Sequence, residues 1–335
     1  MFKLLLQRLA GVLLTLLVAS AVVFAVLEVL PGNAAELKLG ATATPETLAA
    51  LTARMGLDRP PMARYGDWVG GLLHGETARS SSYDTPTAEL IAQRLQVTLP
   101  LALLAMALTT VLALALGLYA AARHRQAGDT LVMAASQLGI AVPGFWFAIL
   151  LILVFAVQLQ WVGAGGFPGW TAADDGGGGT GGGEGGVWAG LQALILPAVA
   201  LALVQAAILA RVTRSAVLDV LHEDYRRTAR AKGLTRRQAL WRHGLRNALI
   251  PVLTVAGLQF ANLLTGTIVV ENVFVLPGIG RLVFQAVANR DLVVVRDVVM
   301  LLVAGVVVVN AGVDLLHVAI DPRLRQPGRG AAGST

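Results

Sequence analysis

The sequence predicts an all-α, polytopic membrane protein with six transmembrane helices and both termini in the cytoplasm. Of its 335 residues, 56% are hydrophobic and 14% are charged, and the mean hydropathy is +0.70. A soluble domain carries about 25% charged residues, so this chain has too few to cover a globular surface. The apolar residues are also gathered into stretches long enough to cross a hydrocarbon core of about 30 Å.

Six such stretches follow one another along the chain. The first, 9–27, exceeds the apolar region of a signal peptide, about 7–15 residues, so we expect residues 1–30 to form an uncleaved anchor, with a cleaved signal peptide as the alternative. The sixth is the least uniform, because Arg296 and Asp297 lie near its start. None shows the alternation of a barrel strand, so each is predicted to be a helix. The remaining five stretches are 97–122, 131–160, 191–210, 247–270 and 292–320.

The basic residues set the orientation of these helices. Of the 26 lysines and arginines, 17 precede the first stretch, lie between the second and third, lie within 211–246, or follow the sixth. Lysine and arginine accumulate on the cytoplasmic side of membrane proteins, so this face is predicted to be cytoplasmic. The net charge of +6 is then explained by topology. The lipid bilayer is the expected partner, and nucleic acid is not.

The external loop 31–96 is predicted to be folded. Thr44 and Pro45 form a helix start, apolar residues follow at helical spacing, and Gly56 ends the pattern. A second start signal at 85–89 predicts a helix that runs into the second span, with a bend at Pro100. The next external loop, 163–186, has 13 glycines in 24 residues and is predicted to be a flexible linker.

The residue inventory argues against an enzyme, a metal site or a bound cofactor. The chain has no cysteine, which excludes disulfides and thiolate ligands. His222 and Glu223 begin an H-E-x-x-H pattern, but Arg226 stands where the second zinc ligand belongs. The glycine run 176–181 fits G-x-G-x-x-G, yet no strand precedes it, no phosphate-binding helix follows and the loop is predicted to be external, so nucleotide binding is not expected.

The cytoplasmic loop 215–246 has the pattern of two short helices joined by a glycine turn. The first ends at Gly233. Thr235 and Gln238 then form a capping box that opens a second amphipathic helix ending near Leu245. Such an element needs a surface for its apolar stripe, so it either docks to a cytoplasmic protein or rests on anionic lipid headgroups.

The spelling of this loop resembles the cytoplasmic signature of ABC-importer permeases. Residues 225–234 read YRRTARAKGL and residues 242–251 read RHGLRNALIP, which is similar to the dipeptide/oligopeptide/nickel branch of that family. Against the wider family's pattern the Glu, Ile and Pro positions differ. The resemblance extends over nearly the whole chain, through segments 30–32, 56–60, 143–146, 211–215, 266–271, 276–280, 289–291 and 321–323.

This resemblance implies a type I ABC-importer permease fold, in which residues 97–320 form a five-helix core and 321–335 a cytoplasmic tail. It implies partners as well: a second homologous permease, two cytoplasmic ATP-binding subunits and an external substrate-binding protein. ATP hydrolysis would belong to the partners, since the chain has no G-x-x-x-x-G-K-[ST] loop. The expected ATPase-coupling residues are Thr228, Ala229, Gly233, Thr235, Arg236, Arg237, Gln238, Trp241 and Leu245.

Polar residues in the fifth span are candidates for the translocation pathway, because polar groups in lipid are costly and often line a path. Gln259 and Asn262 share a helix face, Thr265 follows, and Glu271 lies at the external end. A hydrogen bond between helices is the alternative for the span residues. For Glu271, a position at the membrane interface needs no special role.

Two other functions stay open at this stage. A secondary transporter driven by an ion gradient would favour broken helices or carboxylates near mid-membrane, and no span has a charge at its centre. A membrane scaffold that transports nothing is the other. For an importer, di- or oligopeptides are the leading cargo, ahead of nickel, glutathione-like peptides and haem.

Overall fold

The computed structural model describes residues 2–29, 44–54, 56–171, 185–222 and 245–320. Within these ranges the secondary structure is helical, and the only β pairing is an isolated bridge between Arg79 and Pro86. The prediction of an all-α membrane protein is confirmed. In chain order the helices are α1 (Phe2–Val29), α2 (Pro45–Arg54), α3 (Pro61–His74), α4 (Thr87–Ala122), α5 (Ala127–Ala141), α6 (Gly144–Leu151), α7 (Val187–His222), α8 (Leu245–Val273), α9 (Ile279–Ala288) and α10 (Leu292–Ile320).

Five of these helices are long and apolar enough to span a membrane: α1, α4, α7, α8 and α10. A sixth span exists if α5 and α6, which a π-helical segment Ile152–Gln158 extends, count as one. The predicted single helix over 131–160 is wrong in this respect, because the two parts are bent by 101°. The break lies at Pro143, where the backbone of Val142 and Pro143 is extended. Proline disfavours a helical conformation in the residue before it and cannot donate to the preceding turn.

The contacts divide the chain into two compact units. The cap unit comprises residues 2–99 and 277–307, and the core unit comprises 100–276 and the chain from 308 onward. Helices α4 and α10 each pass from one unit into the other. Helix α4 begins at Thr87, as the signal at 85–89 predicts, and continues through Pro100 without interruption.

In the cap unit, the predicted helix after Thr44 is present as α2. The Thr44 hydroxyl accepts a hydrogen bond from the backbone N–H of Thr47, and the Thr47 hydroxyl accepts one from Thr44, which satisfies two backbone donors at the helix start. Gly56 follows α2 in the left-handed conformation, φ +65°. Helices α3 and α9 were not predicted.

The hydrophobic core of the cap unit is formed by α9 and by the first turns of α4 and α10. Leu90, Ile279, Leu282, Ala286, Val294 and Val298 are buried together there. Two buried carboxylates add polar ties. Asp291 accepts hydrogen bonds from the Ser80 hydroxyl at 2.6 Å and from the backbone N–H of Ser82 at 3.0 Å. Asp297 accepts from the Trp68 indole at 2.8 Å and from the Thr87 hydroxyl.

In the core unit, part of the glycine-rich loop is fixed rather than free. The backbone N–H of Gly166 donates to the carbonyl of Phe274 at 2.9 Å, and the rings of Phe167 and Trp170 pack edge to face. The predicted linker 163–186 is therefore ordered at least over 163–171. Its middle, 172–184, is not among the residues described.

Candidate transport and coupling site

The predicted coupling element falls where the structure gives no placement. Residues 223–244 are outside the described ranges, and with them Thr228, Ala229, Gly233, Thr235, Arg236, Arg237, Gln238 and Trp241. Leu245 is the first residue of α8, and only its backbone is described. What the structure does show is the pair of helices from which the segment departs and to which it returns.

These two helices, α7 and α8, pack against each other more extensively than any other described pair. Their seam is made largely of alanine and valine side chains, and the small alanines let helix backbones approach closely in a membrane. The buried residues of this seam, together with those of α4 that join it, are Ala113, Ala121, Leu209, Ala210, Ala216, Val217, Val220, Ala248, Val252 and Ala256. Segment 223–244 therefore connects two helices that are packed against each other.

Helix α4 also approaches α7 closely, at Gly117. A Cβ on Gly117 would lie 2.6 Å from Cβ of Thr213 and 2.8 Å from the carbonyl oxygen of Ala210. No side chain larger than hydrogen fits there without a shift of backbone. The Thr213 side chain is buried, and its hydroxyl donates a hydrogen bond to the Leu209 carbonyl at 2.8 Å.

A buried ion pair ties α7 to the start of α5. Arg214 Nε lies 2.5 Å from Oδ1 of Asp129, and a terminal nitrogen of Arg214 lies 2.7 Å from Oδ2. The Asp129 side chain is 5% exposed and that of Arg214 is 23% exposed. His124 Nδ1 lies 3.2 Å from Arg214 and 3.3 Å from Asp129. The backbone N–H of Arg125 also donates to Asp129 at 3.0 Å, so the carboxylate is fully engaged.

Sequence reasoning missed this pair. Arg214 lies within segment 211–215, which resembles permeases, and Asp129 lies in the first turn of a helix, where an acidic residue is common. Neither position shows a spacing that would connect them, since they are 85 residues apart. Only the packing of α5 on α7 brings them together.

The predicted pathway residues separate into a buried and an exposed group. Gln259 is 4% exposed, and its amide nitrogen donates to the backbone carbonyl of Gln205 on α7 at 3.1 Å. This is the helix-to-helix hydrogen bond that was the alternative interpretation. The Oε1 of Gln259 is buried without a hydrogen-bond partner among the residues the structure describes. Glu271 is also fully buried.

Asn262 and Thr265 are exposed on α8. They continue a stripe that starts at Leu258 and ends at Val269, both about half exposed, with helical spacing of four, three and four residues. Gly266 lies beside Thr265 and a Cβ placed on it would meet nothing within 4 Å. The result is an open helix face with two polar side chains in the middle of a membrane span. We name these residues, 258, 262, 265, 266 and 269, the open face of α8.

The described part of the chain contains no group of three or more His, Cys, Asp or Glu residues that could hold a metal ion. The buried acids Asp129, Asp291 and Asp297 are instead held by hydrogen bonds from the protein.

Comparison with known proteins identifies the class of transporter. Residues 113–326 match the family model described as "Binding-protein-dependent transport system inner membrane component", and residues 1–110 match the model for the N-terminal part of such membrane components. A match over this length covers almost the whole chain.

Among individual proteins, the chain is 40% identical over 325 residues to a Brucella abortus protein provisionally named a peptide transport system permease, covering 97% of this chain and 99% of the relative. It is 37% identical, with the same coverage, to the glutathione transport system permease protein GsiC of Salmonella typhimurium.

A solved structure of the MetNI methionine ABC transporter in an inward-facing conformation matches with a TM-score of 0.54 at 17% identity. The match covers 69% of this chain and 96% of that one. It supports the ABC-importer permease fold. The chain is thus a multi-pass inner-membrane transport subunit, and it belongs to the family of inner-membrane components of binding-protein-dependent transport systems.

Proposed function

We propose that this chain forms one half of a translocation pathway for short peptides, facing a second homologous permease. The open face of α8 carries this proposal. Asn262 and Thr265 expose polar groups on a membrane-spanning helix, and such groups are costly when they face lipid. A face of this kind is stable against water or against another protein. The second permease would supply the opposite wall.

The other two predicted pathway residues, Gln259 and Glu271, have positioning roles in this proposal. Gln259 holds α8 to α7 through the Gln205 carbonyl, so it positions the open face rather than lining it. Glu271, being fully buried, would help to fix the end of α8. The two exposed residues are therefore the ones we assign to contact with cargo.

Segment 223–244 is proposed to contact one of two cytoplasmic ATPases and to move with the conformational change that accompanies ATP hydrolysis. The coupling residues of the sequence prediction from Thr228 to Trp241 lie within it, and the last of them, Leu245, is the first residue of α8. Because it leaves α7 and returns to α8, whose seam is buried, movement of the segment would displace both helices together. In this proposal α7 and α8 move as a rigid body, and α8 carries the open face.

Peptides are proposed as cargo because the two relatives above are named for peptide and glutathione transport. An external binding protein would deliver them. The absence of a charged residue on the open face of α8 fits a path that passes cargo without holding it tightly.

Transport in proteoliposomes tests the proposal. The vesicles would contain this chain, a second permease and the ATPases, with the binding protein and a radiolabelled dipeptide outside and ATP on the ATPase side. We expect uptake that needs both ATP and the binding protein. The control is the same complex with ATPases that bind but do not hydrolyse ATP. Uptake by this chain alone under an ion gradient would show a secondary transporter instead. Unaltered peptide uptake in a deletion strain would indicate a scaffold.

The coupling role has its own test. Replacing Arg236 and Arg237 by glutamate should abolish uptake and peptide-stimulated ATPase activity while the chain stays in the membrane. Arg329→Glu in the tail is the matched control for loss of a basic residue on the same side. Full activity of the double variant would contradict docking at this segment.

A further inference from the structure

A cavity of about 320 Å³ lies in the cap unit, where membrane helices end. The last turns of α1 contribute Phe24, Leu27 and Glu28, the start of α10 contributes Arg296, and α3 contributes Arg64 and Trp68. Helix α1 is a span that ends at Val29, and α10 is a span that begins at Leu292. A cavity between such ends lies at the level of the lipid headgroups. Nothing in the proposed transport function uses it.

Two arginines in this cavity keep hydrogen-bonding capacity. The guanidinium of Arg296 lies over the Trp68 ring, 4.6 Å from its centroid, and its Nε donates to Asp297 at 3.2 Å. Those contacts occupy one face and one N–H, which leaves the terminal nitrogens as the part a ligand can reach. Arg64 lines the cavity as well. One of its terminal nitrogens pairs with Glu28, and its side chain is still 20% exposed. Guanidinium groups are the preferred ligands of phosphate in proteins.

The arginines around the cavity are all paired with carboxylates. The lining contains the guanidinium groups of Arg59, Arg64 and Arg296 and the carboxylates of Glu28, Asp67 and Glu76. Arg59 pairs with Asp67, Arg64 with Glu28, and Arg296 with Asp297, which is not among the lining residues. Glu76 is exposed, so its carboxylate is available to a cation. A lining of paired guanidinium groups beside an available carboxylate suits a zwitterion better than a simple anion.

The apolar wall of the cavity continues onto a lipid-facing helix. Phe24 and Leu27 belong to α1, of which only 6% of the span is buried inside the chain. Leu13 and Leu17, eleven and seven residues before Phe24 and therefore on the same face of α1, are 58% and 59% exposed. An acyl chain lying along α1 would thus lead directly to the cavity. Tyr65 and Trp68, which pack with Phe24, are residues that favour the membrane interface.

We propose that this cavity binds the headgroup of a zwitterionic phospholipid. The phosphate lies against Arg64 and Arg296, an ethanolamine ammonium faces Glu76, and the acyl chains follow α1. A zwitterionic peptide shares part of this chemistry, but it would leave the lipid-facing wall of α1 without a function. The proposal rests on the membrane location of the chain and not on its cargo.

Lipid retention by the purified full-length chain tests this. The protein would be reconstituted with phosphatidylethanolamine or phosphatidylglycerol, stripped with detergent, and the retained lipid counted by native mass spectrometry. We expect one retained phosphatidylethanolamine. Arg296→Gln and Arg64→Gln should each weaken its retention by about tenfold, because each removes a charge-assisted hydrogen bond to phosphate. Arg290→Gln is the matched control, since Arg290 is exposed and does not line the cavity.

A second variant keeps the test decisive if loss of Arg296 unfolds the cap unit. Glu76 is exposed, so Glu76→Gln should fold normally and lose the preference for phosphatidylethanolamine over phosphatidylglycerol. Equal retention by wild type, Arg64→Gln and Glu76→Gln would overturn the proposal. Displacement of the lipid by a soluble dipeptide, but not by glycerophosphoethanolamine, would overturn it in favour of a peptide site. Failed transport with normal lipid retention would reject the proposed function alone.

Discussion

Arg214 and Asp129 form a two-point ion pair that fixes α7 to the first turn of α5, with distances of 2.5 Å and 2.7 Å. Arg214 lies eight residues before the end of α7 at His222, and α7 leads directly into segment 223–244. The pair therefore lies between the proposed ATPase contact and the membrane part of the core unit. We expect a displacement of α7 to be transmitted to α5 through this ion pair as well as through apolar packing.

Asp129→Asn should lower the stability of the core unit and weaken coupling. The amide cannot neutralise Arg214, and removing one partner of a buried ion pair costs about 3 kcal/mol, the low end for such pairs because Arg214 is partly exposed. We expect a lower thermal midpoint and a larger fraction of ATP hydrolysis without uptake. The measurements are thermal unfolding of the purified chain and the ratio of peptide taken up to ATP hydrolysed.

Asp219→Asn is the matched control for Asp129→Asn, because Asp219 is an exposed acid on α7. It should leave both the midpoint and the ratio near the wild-type values. An Asp129→Asn protein with an unchanged uptake-to-hydrolysis ratio would show that the ion pair only stabilises the fold.

The positions of the spanning helices could be predicted because lipid imposes one requirement on every residue of a span. A stretch such as 97–122, which contains no charged residue, must satisfy its own backbone, so this part of helix α4 follows from composition alone. The break in the third span could not be located in this way, since composition does not change at Pro143. Proline occurs inside α4, α7 and α8 without ending them, so it is tertiary packing that decides where a proline breaks a helix.

The candidate site was predictable in its residue types but not in their surroundings. Polarity within the fifth span singles out Gln259 and Asn262 as pathway candidates, yet one is buried against α7 and the other is exposed. A spacing of three residues rotates a helix by about 300°, which is enough to cross the edge of a packed face. The Asp129–Arg214 pair needed the fold itself, because it joins helices distant in sequence.

Two glycines of α8 should respond very differently to alanine. A Cβ on Gly257 would lie 2.0 Å from Cγ2 of Val313, whereas one on Gly266 would meet nothing within 4 Å. We expect Gly257→Ala to destabilise the chain by about 1–3 kcal/mol through overpacking. Gly266→Ala should be neutral or slightly stabilising, since alanine favours helix. Thermal unfolding of both purified variants checks this, and equal midpoints would contradict the close approach of α8 to α10 at Gly257.

Asp291 should make the stability of the cap unit depend on pH. Burial alone raises the pKa of this carboxyl, but hydrogen bonds from the Ser80 hydroxyl and from the backbone of Ser82 and Val294 outweigh it and hold the pKa below the usual 3.8. A lowered pKa means that the stabilisation is complete above that value and is lost as the pH falls through the folded-state pKa.

The variant Asp291→Asn should consequently unfold at a lower temperature than wild type at neutral pH. The gap between the two midpoints should close as the pH drops below about 3.8. Asp84→Asn, at an exposed turn nearby, should show no such convergence. A gap that stays constant over the whole range would mean that the charge of Asp291 does not contribute.

The absence of cysteine from the chain allows the open face of α8 to be probed one position at a time. Thr265→Cys should react with a membrane-impermeant, charged thiol reagent in the assembled transporter, because a pathway wall contacts water and the thiolate needs water to form. Val111→Cys is the control, since Val111 is an apolar residue of α4 with 65% of its surface exposed, and we expect it to face lipid and to stay unlabelled. Labelling at Thr265 should also stop peptide uptake by blocking the path. If Thr265→Cys resists the reagent in every state of the ATPase cycle, the open face meets lipid or a permanently dry interface, and the pathway must lie on another helix.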